Sequence, residues 1–284
     1  DGPGYPGKDK LSQAEMQLEQ RLRKEDEARF MKELEKHRNW PRMDTKAFRK
    51  RIDEAQEILS RKNIALWTWA ERVGRMHVQN KNYERAAKTY EDHIAAAAKD
   101  SPDLPRAYAA LSEVYLTQQD LVKTRALHAR FMKEFNANGG ALYAFGKTVL
   151  GYHDRVTGKD RRREVLDMAE ASLRRASELP DNGSKLLTLL ELGNTLVLQE
   201  RAEQAVPFFE TVVKGTDEVA AREDRELRLG DALRRSGRLE EAALIFKKLV
   251  ASNRSSVRGA ANVGLEYISA QEKEKARKRQ EAKE

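Results

Sequence analysis

The C-terminal half of the chain repeats one pattern three times: Leu192-Gly193-x-x-Leu196, Leu229-Gly230-x-x-Leu233 and Val263-Gly264-x-x-Tyr267. The glycines stand 37 and then 34 residues apart. Twelve residues after each of the first two comes an alanine (Ala205, Ala242), and four residues later a phenylalanine (Phe209, Phe246). A period near 34 with small residues at fixed offsets restricts the chain to stacked helical hairpins. One hairpin alone exposes an apolar face that only a neighbouring hairpin covers.

The offsets have a steric meaning. The small residue (Gly74, Ser112, Gly193, Gly230, Gly264) lets the two helices of a hairpin approach closely. The alanine (Ala86, Ala205, Ala242) does the same from the other side, and the aromatic (Tyr90, Phe209, Phe246) fills the space between repeats. Read upstream on these offsets, the array begins near Ile64. A first hairpin carries Ala70, Val73 and Gly74, turns at Lys81-Asn82 and continues through Tyr83, Ala86, Tyr90 and His93. A second opens at Pro105, suited to the first turn of a helix. It carries Tyr108, Leu111, Ser112 and Tyr115, then Leu121, Thr124, His128 and Phe131. The third unit departs from the pattern: one helix is expected over 141–156, a long turn at 157–160 and a second helix over 163–179. Asn138-Gly139-Gly140 reads as a helix stop and turn. The fourth and fifth hairpins are expected at about 184–214 and 222–250, and a last helix at about 255–269.

Three segments follow: a Gly/Pro-rich lead-in and charged helical arm over 1–62, an array over 63–269 and a charged tail over 270–284. Residues 1–7 suit a flexible start. Over 11–38 a thin apolar stripe (Leu11, Ala14, Leu18, Leu22) runs along a polar helix suited to coiled-coil association. A second arm helix, about 45–62, sets Phe48, Ile52, Ala55 and Leu59 on one face. Trp67 and Trp69, two residues apart, point to opposite sides of a helix, so one joins the hairpin core. The other seals against the arm or serves as an exposed anchor for a partner. The tail from Gln271 reads as a solvated or frayed helix.

The array resembles the tetratricopeptide-repeat family over residues 64–269. That resemblance implies an all-α, right-handed α-solenoid whose first helices line a concave groove holding a partner segment. In the repeat register the groove presents Leu187, Leu190, Asn194 and Val197. It also presents Asp224, Leu227, Arg228, Asp231, Arg234 and Arg235, then Arg258 and Asn262. An apolar strip beside arginines suits a peptide with hydrophobic anchors and acidic groups. Some family members clamp a C-terminal carboxylate with lysine, asparagine and arginine. Asn194 and Arg258 match that clamp, while Leu190 and Arg228 stand where it needs lysine and asparagine, so the clamp is incomplete.

No chemistry is legible. The chain has no cysteine, which excludes disulfides and thiolate sites. None of His37, His77, His93, His128 and His153 has metal-ligand spacing, and His77, His93 and His128 fall on packing positions. No phosphate loop or nucleophile elbow occurs, and no 18-residue apolar run exists. A non-enzymatic scaffold or assembly subunit with protein partners and no cofactor is therefore expected, a peptide-binding co-chaperone or adaptor being one alternative. The other, an RNA- or DNA-associated adaptor, draws on a net charge of +8 and on clusters such as Arg161-Arg162-Arg163. Interleaved acids weaken phosphate binding, and no stacking aromatics accompany the basic clusters. An exported and a cytoplasmic site fit the sequence equally.

Overall fold

A computed structural model describes residue 50, residues 67–180 and residues 183–281. The arm helices, the array's start at Ile64 and the last three tail residues lie outside the described residues. Among the described residues there are eleven α-helices and no strand. The chain divides into two compact units, Asp1–Ser101 and Pro102–Glu284.

In the first unit α1 (Trp67–Gln79) and α2 (Tyr83–Ala96) form one hairpin. Its core holds Ala70, Val73, Ala86, Tyr90 and Ile94. Trp67 and Trp69 are both buried, so neither is an exposed anchor. His77 and His93 are buried as well, and the Trp67 ring lies 5.4 Å from that of His93. These imidazoles act as packing groups, as their repeat positions imply.

In the second unit α3 (Leu104–Thr117) pairs with α4 (Leu121–Glu134), and α5 (Gly139–Leu150) with α6 (Lys159–Glu178). Next come α7 (Lys185–Leu198) with α8 (Ala202–Lys214), and α9 (Val219–Arg235) with α10 (Leu239–Leu249). A single long helix, α11 (Ser255–Glu281), ends the array and runs unbroken into the charged tail. Consecutive helices of this unit pack on one another except α4 and α5, and there α3 packs on α5 instead, the local contact pattern of a stacked solenoid.

Four hairpins close with the same backbone device. The second residue after the first helix is left-handed in each: Lys81 (φ 58°), Gln119 (φ 59°), Glu200 (φ 64°) and Gly237 (φ 83°). The next residue then donates its N–H five residues back, as in Asn82 to His77 O (2.7 Å) and Arg238 to Leu233 O (2.9 Å). This satisfies a helix-end carbonyl and reverses the chain in three residues. Only Gly237 is free of the side-chain penalty of that conformation.

The third hairpin corrects the sequence reading in three places. Gly139 and Gly140 begin α5, and Asn138 caps its start by accepting the Ala141 N–H (2.9 Å). The triplet is therefore a helix start, because a side-chain acceptor at that position satisfies an otherwise orphan donor. Helix α5 ends at Leu150 with Gly151 beyond it, so residues 151–156 belong to the turn. Val156 is fully buried there and anchors the turn. Helix α6 starts at Lys159 and runs 20 residues, against 11–14 for the other second helices.

The extra length is pinned to the preceding hairpin. The Gln119 amide donates to Arg155 O (3.1 Å) and accepts from the Thr157 hydroxyl (2.7 Å). Arg161 donates to Gln119 O, Arg162 to Val156 O (2.8 Å), and Arg125 to Glu164 (2.7 Å). Two members of the Arg161–Arg163 run thus hold the protein's own carbonyls.

Candidate partner-binding face

The first helices α7, α9 and α11 carry all the residues assigned to the groove. Their inward sides anchor them: Leu192, Leu196, Leu229, Leu233, Ala261 and Ile268 share one buried cluster with Phe209 and Phe246. Leu190, Val197 and Leu227 lie half-buried against that cluster. Leu187 is 43% exposed. An apolar strip therefore exists on α7 and α9, with Leu187 as its open end.

The polar residues beside it are linked to one another. Arg228 donates to Asn194 Oδ1 (2.9 Å), and Asn194 donates to Glu191 Oε2 (3.0 Å). Asp231 accepts from Arg234 on one oxygen (2.6 Å) and from Arg235 on the other (2.7 Å). The Arg234 guanidinium lies 5.1 Å from the Tyr267 ring centroid, within cation–π range. The structure thus joins Asn194 to Arg228, and Asp231 to both Arg234 and Arg235.

The remaining assigned residues are not drawn into this network. Asp224 pairs with Arg254 (3.0 Å), whose guanidinium also donates to Ala220 O (2.7 Å). Arg258 turns to Ser252 O (2.8 Å), and Asn262 is exposed on α11. Arginines with internal partners give up less free charge to a ligand than the sequence suggests, since each must exchange one acceptor for another. Glu191 and Arg254 are not singled out by the sequence, and Tyr267 is read there only as a repeat position. Glu191 was in principle legible, because it stands three residues before Asn194 on one helix face.

A charged residue also enters the core. Glu226 stands four residues before Gly230, where α7 has Leu189, and it is 7% exposed. Lys248 of α10 donates to it at 2.6 Å. The Lys248 side chain is 66% exposed and the Glu226 side chain 9%, so water screens the cation far more than the carboxylate. Lys248→Ala is expected to cost about 1–2 kcal/mol by stranding that carboxylate. Adding Glu226→Leu should restore most of the loss in a urea titration, and a double variant no more stable than the single would refute this account.

Among the described residues no three His, Asp or Glu side chains gather as metal ligands. No helix among them is long and apolar enough to cross a membrane.

No family model matches the chain, and no curated protein does. Solved structures of tetratricopeptide proteins resemble it at low identity. The protein YrrB, described as having an unusual peptide-binding site, is 17% identical, with 78% of this chain and 97% of that one covered and a TM-score of 0.46. A thermophilic tetratricopeptide protein of Thermus thermophilus is 16% identical, with 70% and 99% covered and a TM-score of 0.41. The pilF protein of Pseudomonas aeruginosa is 15% identical, with 77% and 89% covered and a TM-score of 0.42. The hairpins' own geometry decides the fold. Gly74 faces Tyr90, Gly193 faces Phe209, and Gly230 faces Phe246, each across a hairpin closed by the same left-handed turn. Helix α11 apart, the described helices of both units pair as hairpins, and those of the second unit stack as an all-α solenoid.

Proposed function

We propose that this protein is a non-enzymatic scaffold that holds a segment of a partner protein on the face formed by α7, α9 and α11. The observation that carries this is the juxtaposition of an open apolar strip with a polar ladder. Leu187 is exposed, Leu190, Val197 and Leu227 are half-buried, and the Asn194–Arg228 pair runs alongside. An apolar anchor would seat on Leu187 and Leu190, and a carboxylate or backbone carbonyl would compete with Asn194 for Arg228. Asp231, Arg234 and Arg235 would flank it, with Arg258 and Asn262 at the far end. The incomplete carboxylate clamp argues against capture of a chain terminus as the mode of binding. Association through the arm, residues 8–40, is a second contact of the same reading, and it lies outside the described residues.

Peptides selected from a random displayed library on the full chain test the face. Groove binders should lose about tenfold or more in affinity to a Leu187→Asp, Arg228→Glu variant, the loss typical of a central contact. Unchanged affinity for every selected peptide would overturn the assignment. Steep salt dependence with a preference for RNA over all peptides would favour the nucleic-acid reading instead.

A further inference from the structure

Helix α11 stands in the position of a first helix, and among the described residues no second helix of its own packs on it. Its inward side is complete: Val257, Ala261, Gly264 and Ile268 are buried against the array, and Phe246 fills the space before Gly264. Its outward side is bare. Val263 is 47% exposed and Tyr267 56%, and Gly259, Ala260 and Ala270 are exposed beside them. A side chain built at Gly259 would meet nothing within 4 Å.

Register with α9 shows what this side is built to receive. Thirty-four residues earlier stand Glu226, Leu229 and Leu233 in the places of Ala260, Val263 and Tyr267. Those three are 7%, 8% and 3% exposed; α10 packs on this helix, and its Lys248 reaches Glu226 at 2.6 Å. In α7 the matching Leu189, Leu192 and Leu196 are 9%, 0% and 0% exposed. The uncovered stripe of α11 therefore has the position of a surface that elsewhere in this chain carries an antiparallel amphipathic helix.

Tyr267 is already steadied by the Arg234 guanidinium, 5.1 Å from its ring. That lowers the ordering cost of using it as an anchor. Beyond Ala270 the helix continues to Glu281 with five basic residues against three acidic over 271–281. On the side of Val263 and Tyr267 this extension brings Arg277 and Lys278 against Glu274, which pairs with both (3.0 and 3.4 Å). Glu281 also pairs with Arg277 (3.5 Å), so the apolar stripe leads into a segment whose positive charge is that of the extension as a whole.

We propose that the outward side of α11 docks an amphipathic helix of a partner protein, antiparallel to α11, with an acidic N-terminal turn. Its small and aromatic residues, spaced like Ala242 and Phe246, would seat on Val263 and Tyr267. Its acidic turn would lie beside residues 273–279, where opposite charge is favoured and like charge is repelled. This surface adjoins the groove at Arg234, which lies over the Tyr267 ring, but its anchors Val263 and Tyr267 are not among the residues assigned to the groove.

The probe is a synthetic helix with the sequence of residues 239–250 preceded by four glutamates, titrated by fluorescence anisotropy against the full chain. Residues 239–250 run antiparallel to their own first helix, so the glutamates would fall beside the cationic extension. Saturable one-to-one binding is expected, weakened about tenfold by Val263→Glu and several-fold when four lysines replace the glutamates. Gly259→Arg should weaken it equally while keeping the fold, because the added side chain enters open space and removes a glycine from a helix. The Leu187→Asp, Arg228→Glu variant should bind the probe unchanged, which separates this surface from the groove. Absence of saturable binding, or binding indifferent to both Val263→Glu and Gly259→Arg, would overturn the proposal. A concentration-dependent dimer of the chain, abolished by Val263→Glu, would also overturn it, since the occupant would then be a second copy.

Discussion

Phe246→Ala is expected to lower stability by about 3–5 kcal/mol, the usual cost of emptying a buried aromatic site. The ring lies between two first helices: a methyl added at Gly230 would sit 2.7 Å from it, and one at Gly264 2.6 Å. Both glycines exist to admit this ring, so neither helix closes the gap when it is removed. Phe209 faces Gly193 in the same manner, but it is not among the atoms nearest any second glycine. Phe209→Ala should therefore cost less. Urea titration followed by far-ultraviolet circular dichroism measures both. A loss under about 1 kcal/mol for Phe246→Ala would mean that α11 relaxes into the vacated volume.

Acid should destabilise the second unit through His128. Burial holds this imidazole well below its ordinary range, at about 4 against 6.5. The ring lies 5.9 Å from that of Phe145, and its Nε2 is 3.0 Å from the Ser172 hydroxyl. The folded state thus prefers the neutral ring. Above pH 6.5 both states hold it neutral and nothing is lost. As pH falls from about 6.5 towards 4 the unfolded chain takes up the proton first, and stability declines by up to about 3 kcal/mol. His128→Phe keeps an aromatic in the site and should flatten the melting temperature over that interval. An unchanged pH profile would assign the acid sensitivity to other groups.

The array was legible in the sequence because its rule is steric and local. Glycine at 193 and 230, alanine at 205 and 242 and phenylalanine at 209 and 246 each admit few alternatives, so the period survives in plain view. The hairpin turns repeat just as strictly in the backbone, yet Lys81, Gln119, Glu200 and Gly237 share no side-chain feature. A conformation that several residue types tolerate at modest cost leaves no motif. The third pattern, Val263-Gly264-x-x-Tyr267, repeats the spacing in different surroundings. Its glycine packs like its counterparts, but Val263 and Tyr267 are exposed, and no second helix covers them among the described residues. The charged stretch from Gln271 already shows that no apolar second helix stands next in the register. The α5–α6 boundaries failed because Tyr152 and Val156 continue a helical spacing that the chain abandons at Gly151.

The register assigns the polar residues to helices but says nothing of their pairing. Arg228, Arg234 and Arg235 all lie on α9, and their acceptors Asn194 and Asp231 decide how much charge they offer. Side-chain partners one repeat away depend on how far neighbouring helices rotate, which spacing along the chain does not encode.

The long turn between α5 and α6 bears on how the array comes apart. In a linear stack each repeat is held by its neighbours alone, so unfolding travels as a front from one end. Most boundaries here are crossed by apolar contact and a few polar links. At the junction of the second and third hairpins a front meets the Gln119 hydrogen bonds, the Arg125–Glu164 pair, the His128–Ser172 contact and the Arg175 bond to Asn136 O (2.9 Å). These span α4 and α6 from one end to the other and break together. A front arriving from the C-terminal side therefore stalls there, leaving α3–α6 as the last cooperative block to melt and the slowest to exchange its amide hydrogens.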